Sequence, residues 1–156
     1  MDPIITAPPE ESKPSWTNLL KCRCPRCRRG QMFTYANPYN LRTFMKMNET
    51  CPVCGQLFDI EPGFYYGTSF ISYAFAVMLS VASFVAWWLF LGFSLHDNRV
   101  FFWMIANAFL LVAAQPPLMR LARTVWLAFF VRYDPHWRTQ PPPEAERFNP
   151  DQKNAW

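Results

Sequence analysis

The chain has 156 residues, 51% hydrophobic and 18% aromatic, with 15 prolines against five glycines and a formal net charge of +4. Its charged fraction of 17% is below the roughly 25% of an average globular protein, and seven tryptophans with fifteen phenylalanines are too many for so small a core. These figures exclude a fully disordered chain, a coiled coil, a large multidomain enzyme and a disulfide-stapled toxin, and a mean hydropathy near zero requires polar and apolar residues to be segregated along the chain.

Residues 1–19 read as a flexible N-terminal tail. MDPIITAPPEESKPS carries proline and charge without apolar periodicity. It has no basic start followed by an apolar stretch, so no secretory signal is expected.

Residues 20–62 read as a small cytoplasmic zinc ribbon of short β strands. All five cysteines lie here, and four form two Cys-x-x-Cys pairs, Cys24/Cys27 and Cys51/Cys54, with 23 residues between them. The pairs are near copies, CPRCRRGQMF and CPVCGQLF. Each has proline after the first cysteine, glycine soon after the second, then an aromatic residue, which is the form of a metal knuckle. Two such turns present four thiolates tetrahedrally, a geometry that suits one zinc ion. A four-thiolate iron site or an iron–sulfur cluster is the rival. Two disulfides are disfavoured in a reducing compartment. Catalytic zinc keeps an open position, usually beside histidine or carboxylate. The only histidines, His96 and His136, lie elsewhere in the chain, so the site is expected to be structural. Cys22 is the leftover, read as a free thiol, with a Cys-x-Cys metal-receiving role as the alternative. Lys21, Arg23, Arg26, Arg28 and Arg29 form a basic face suited to anionic lipid headgroups, and less to nucleic acid given the modest net charge.

Residues 63–119 read as a transmembrane hairpin, with spans at about 68–93 and 100–118. Thr68 to Phe93 is a run of 26 uncharged residues and Val100 to Met119 a run of 20, and a spanning helix needs about 20. The six-residue link SLHDNR allows only a tight antiparallel hairpin. Eight Lys/Arg precede the first span, six follow the second and one, Arg99, lies in the link. Both termini are therefore expected in the cytoplasm, with His96 and Asp97 outside. Tyr65, Tyr66, Phe64 and Tyr73 are expected to form an aromatic belt at the interface. Ser72, Ala76, Ser80 and Ser83 share a helical face, and with Asn107 they suit packing between the two helices. Neither span contains Asp, Glu, Lys, Arg or His, which speaks against a proton relay or ion path.

Pro116 and Pro117 are expected to break or kink the second span. Residues 120–133 then read as a short amphipathic helix lying in the interface, with Arg120 and Arg123 meeting lipid phosphates. The alternative is a continuation of the second span packed on the N-terminal domain. Residues 134–156 read as a Pro-rich C-terminal tail, either solvated or laid over a partner.

The succession CPRCRRGQMF, CPVCGQLF, EPGFYYGTSFISYAF, two spans and RLARTVWLAFFVRYDP resembles a bacterial family known as domain of unknown function 983, over roughly Leu20 to Asp134. The resemblance implies Cys24, Cys27, Cys51 and Cys54 as zinc ligands. It also implies a respiratory setting, because members are often encoded near terminal-oxidase and oxidase-assembly genes. The expectation is a non-catalytic accessory subunit of a larger inner-membrane complex, a cytochrome oxidase or respiratory supercomplex. The alternatives are a transient oxidase assembly factor and a membrane-tethered ribbon that binds nucleic acid or anionic lipid. No enzyme activity is expected, since no nucleophile–base pair, phosphate loop or open metal site is visible.

Overall fold

The structure is a computed structural model that describes residues 16–61, 63–92 and 98–142. In chain order it has a single helical turn α1 (Thr17–Leu20), a knuckled head, a 3-10 turn (Phe64–Gly67), and two long helices, α2 (Thr68–Leu91) and α3 (Arg99–Phe130). The link residues His96 and Asp97, most of the N-terminal tail and residues 143–156 lie outside the described residues.

Both long helices are long and apolar enough to cross a membrane. At 1.5 Å per residue α2 spans about 36 Å, near the thickness of a hydrocarbon core, whereas the 32 residues of α3 reach about 48 Å. They run antiparallel, joined where the small residues of α2 permit close approach. The Ser83 hydroxyl donates to Asn107 Oδ1 at 2.9 Å, and Asn107 Nδ2 donates to the Ser80 hydroxyl at 3.3 Å. Phe84 and Trp103 meet edge to face at 5.3 Å. At the far end the Arg99 guanidinium donates to Leu91 O at 2.5 Å, a cation at the carbonyl end of α2 where the helix dipole favours it. The serines and Asn107 thus serve interhelical contact.

The interfacial helix does not form as a separate element. α3 runs through Pro116 and Pro117 without ending. Each proline removes one backbone donor and crowds the preceding turn, at about 3 kcal/mol. The last turns of α3 recover this by burying Arg120, Ala122, Thr124 and Leu127 in the head. The predicted break is locally sound and is overridden by tertiary packing.

The head has no β strands among the described residues. In their place stand three isolated antiparallel bridges: Arg23 with Gln31, Thr50 with Leu57, and Phe33 with Met47. The first two close the knuckles and the third ties one knuckle to the other. The first two ladders cannot lengthen because the chain turns into a knuckle immediately inside each bridge. Met32, Phe33, Phe58 and Tyr65 form the apolar core beside the cysteines, with Leu127 of α3 packed into it. Tyr65 is therefore a core residue rather than part of an interfacial belt. Its hydroxyl donates to Phe58 O at 2.5 Å, which satisfies a polar group that burial would otherwise penalise. Phe64 also turns inward, against Trp126 and Phe130 with ring centroids at 6.2 and 5.0 Å, and the Trp126 indole donates to Phe64 O at 2.8 Å. Tyr66 and Tyr73 remain exposed, as a belt requires.

Candidate metal centre

Each knuckle begins with a backbone turn that its sequence dictates. Arg28 N–H donates to Cys24 O at 2.7 Å, and Gly55 N–H donates to Cys51 O at 3.0 Å. The residue after the second cysteine then takes a left-handed conformation, φ 55° at Arg28 and φ 70° at Gly55. Glycine adopts this freely and arginine does not. Arg28 is held there by aromatic rings on both sides, its guanidinium 4.6 Å from the Trp16 ring centre and 4.7 Å from that of Tyr133. Gly30, the glycine of the first knuckle, has a different task. A Cβ at Gly30 would collide with the Cys51 sulfur, so its bare backbone lets the second knuckle close on the first. Its N–H points at Cys27 Sγ at 3.4 Å.

The result is four buried cysteines whose sulfurs all lie within 4.8 Å of one another, Cys24, Cys27, Cys51 and Cys54. Two opposite edges measure 3.8 Å (Cys24 to Cys54) and 3.7 Å (Cys27 to Cys51). These are the four residues that the spacing singles out, and together they could hold a metal ion. The thiol of Cys27 is held well below the ordinary cysteine range, first by the Cys24 thiol, then by Cys51 and Cys54, with Gly30 N–H adding to the effect. Cys24 is pushed the other way, chiefly by the same bond to Cys27. Cys22 stands outside the cluster. Burial raises its thiol above the usual range, and Thr124 and Arg120 only partly oppose this, so it is protonated at neutral pH.

The arginines expected to meet lipid are engaged inside the molecule. Arg120 is 5% exposed. It donates to Phe44 O at 2.6 Å and to the carbonyls of Tyr35, Ala36 and Asn37 at 3.0 Å each. It also lies 4.9 Å from the centre of the Phe33 ring. Arg120 is thus the bolt between α3 and the loop that joins the knuckles, and a lipid phosphate has no place on it. Arg123 approaches Met47 Sδ at 3.3 Å and lies 5.0 Å over the Tyr65 ring.

Arg26, Arg28 and Arg29 of the first knuckle are covered by Tyr133 and residues 134–142, the latter being the part of the expected C-terminal tail that the structure describes, while Lys21 stays exposed. Arg26 forms a salt bridge with Asp134 at 3.0 Å. Arg29 lies 5.9 Å from the Trp137 ring centre. The carboxyl of Asp134 is held below the usual range by the His136 backbone N–H first, and by Arg26. None of these pairings has a signal in the sequence, since Arg26 and Asp134 stand 108 positions apart. A hint was available in the excess of arginine and tryptophan flanking the ribbon, a combination suited to stacking.

Comparison with curated proteins and with solved structures returns no match. A family model does match, over residues 41–130, more than half of the chain. It takes in Cys51, Cys54 and both long helices but begins after the first knuckle, so the pairing of Cys24 and Cys27 with the other two rests on the geometry above. By that match the chain belongs to DUF983, described as a protein family of unknown function.

Proposed function

We propose that this protein is a non-catalytic accessory subunit of a larger bacterial inner-membrane complex, a cytochrome oxidase or respiratory supercomplex, with one structural zinc in its head. The observation that carries the reading is the closed centre. All four positions around the metal belong to cysteine, which leaves no site for substrate or activated water. Zinc suits two opposite edges: a Zn–S bond of about 2.3 Å gives a tetrahedron about 3.8 Å on edge, against 3.7 and 3.8 Å in the protein, with every sulfur within 4.8 Å of the others. When bound, zinc would supply cross-linking of the two knuckles and neutralisation of thiolate charge. The chain's own residues then fasten this rigid head to the end of α3, through Arg120, Thr124 and Trp126.

The respiratory setting follows from the family's genomic company, and the orientation, with both termini cytoplasmic, from the distribution of Lys and Arg. A tethered nucleic-acid or lipid binder is less well supported, because Arg26, Arg28 and Arg29 are covered by this chain's own aromatic and acidic groups. Metal delivery through Cys22 is disfavoured by its place outside the cluster.

The test is purification of the tagged native protein in mild detergent, with complex size, haem absorbance and zinc content recorded together. Stoichiometric recovery with a haem-containing complex and one zinc per chain is expected. A small haem-free particle would remove the subunit reading, and traces of immature oxidase subunits would favour the assembly factor.

A further inference from the structure

The four ligand residues are not equally shielded. Cys24, Cys27 and Cys51 are 0–2% exposed, whereas Cys54 keeps 9%. Cys54 also lines a cavity of about 440 Å³, bounded on one side by Val53 and Cys54 and on the other by Trp137, Gln140, Pro141 and Pro142. Of the four cysteines Cys54 is thus the most exposed, and it borders this cavity, whose other wall is the C-terminal segment.

That wall is fastened to the knuckles themselves. Arg26 lies between the two ligands of the first knuckle and is only 3% exposed. Its Nη2 donates to Asp134 Oδ2 at 3.0 Å, Gln140 O at 2.9 Å and Pro141 O at 3.2 Å. Asp134 N–H returns a bond to Arg26 O at 3.2 Å. Trp137 packs against the core that contains the four cysteines, and Pro142 lies beside Gly55 of the second knuckle. The segment is thus anchored on one knuckle and lies across the other. Bonds between a guanidinium and a carboxylate are among the stronger protein hydrogen bonds.

We infer that residues 134–142 are a strap that controls exchange of the bound metal, fastened by the Arg26–Asp134 pair and by Trp137. The inference rests on the reading of the four cysteines as a metal site. A tetrahedral thiolate centre loses its metal by stepwise substitution. With the metal bound, a donor atom of the incoming ligand would take the place of one sulfur, which would leave as thiolate and take a proton from water, releasing hydroxide, with no change of oxidation state. Cys54 is the most exposed of the four residues and borders the cavity walled by the strap, so its sulfur is the first to be displaced, and the ligand that displaces it meets the strap there. The strap supplies none of the four ligand residues. It therefore governs how fast the ion leaves and enters, and leaves the stoichiometry unchanged.

The experiment uses the full-length chain in detergent, loaded with zinc and mixed with excess of a chromophoric pyridylazo chelator. Asp134→Ala/Trp137→Ala is expected to release zinc about tenfold faster than the parent, the scale of one lost hydrogen bond to a charged group. Trypsin cleavage after Arg138 should rise in parallel, and the cobalt-loaded variant should keep the parent's thiolate-to-cobalt absorption. An unchanged release rate overturns the inference, because the strap then either does not cover the route or is not held by these contacts. Faster release with loss of the cobalt absorption also overturns it, since the centre itself has come apart. If the parent chain takes up no metal at all, the metal reading fails and the strap inference falls with it.

Discussion

At Gly30 the two knuckles meet with no space for a side chain, since a Cβ there would run into the Cys51 sulfur. Gly30→Ala must push one knuckle away from the other and spoil the tetrahedron. A loss of about 10- to 100-fold in zinc affinity is expected, the range seen when groups supporting a metal ligand are altered. Competition with a chelator of known affinity measures it, and wild-type affinity in the variant would show that the knuckles can part without cost. Arg28 makes the complementary point. It occupies the left-handed position that Gly55 fills in the second knuckle, and it is kept there by Trp16 and Tyr133 rather than by its own preference.

The element that decides the architecture is α3. Its uncharged portion contacts α2 through Asn107, and its last turns belong to the head. Arg120→Ala leaves four carbonyls without their shared donor, so a loss of about 1–3 kcal/mol in head stability is expected. Thermal melting followed by trypsin cleavage within the head would register it, and the helical circular dichroism should be retained. Unchanged melting would mean that Leu127 and Trp126 suffice for docking. Asn107→Leu should have a smaller effect, about 0.6 kcal/mol on helix pairing, because removing the amide leaves only serine hydroxyls that can bond to their own helix. A steric-trap or cross-linking measurement between α2 and α3 would read it, and a cost as large as that of Arg120→Ala would contradict this account.

For the molecule as a whole, the head is too small to stand on its apolar core. Domains of this size ordinarily need a metal or another staple, and here the largest fully buried side chains of the head's own chain are Phe58 and Met32. Zinc removal by a chelator should therefore unravel the head and expose its backbone to protease, while α2 and α3 keep their helical signal because their packing does not pass through the metal. Hydrogen exchange read separately on residues 20–60 and on the helices checks this. Equal protection of the head with and without zinc would show that Arg120 and the aromatic cluster hold it unaided.

What could be read from the sequence alone was what short-range chemistry controls. Cys-x-x-Cys with proline and glycine forms a turn within a few residues, and two uncharged runs make spanning-length helices by composition, so the four cysteines that cluster, the two helices and the small-residue contact were visible in the chain. The sequence misjudged what depends on distant partners. Pro116 and Pro117 predict a helix end, yet α3 continues because its next turns are buried in a head encoded some 80 positions earlier. Arg120 and Arg26 looked like lipid-facing cations, since arginine is costly to bury, but carbonyls and a carboxylate from remote segments solvate them in place of water. The short strands expected of a ribbon were replaced by single bridges, because two tight knuckles leave no straight chain for a ladder. The local turns and helices were thus set by neighbouring residues, whereas the fastening of head to helix and of strap to knuckle was decided only when the chain brought its far charges together.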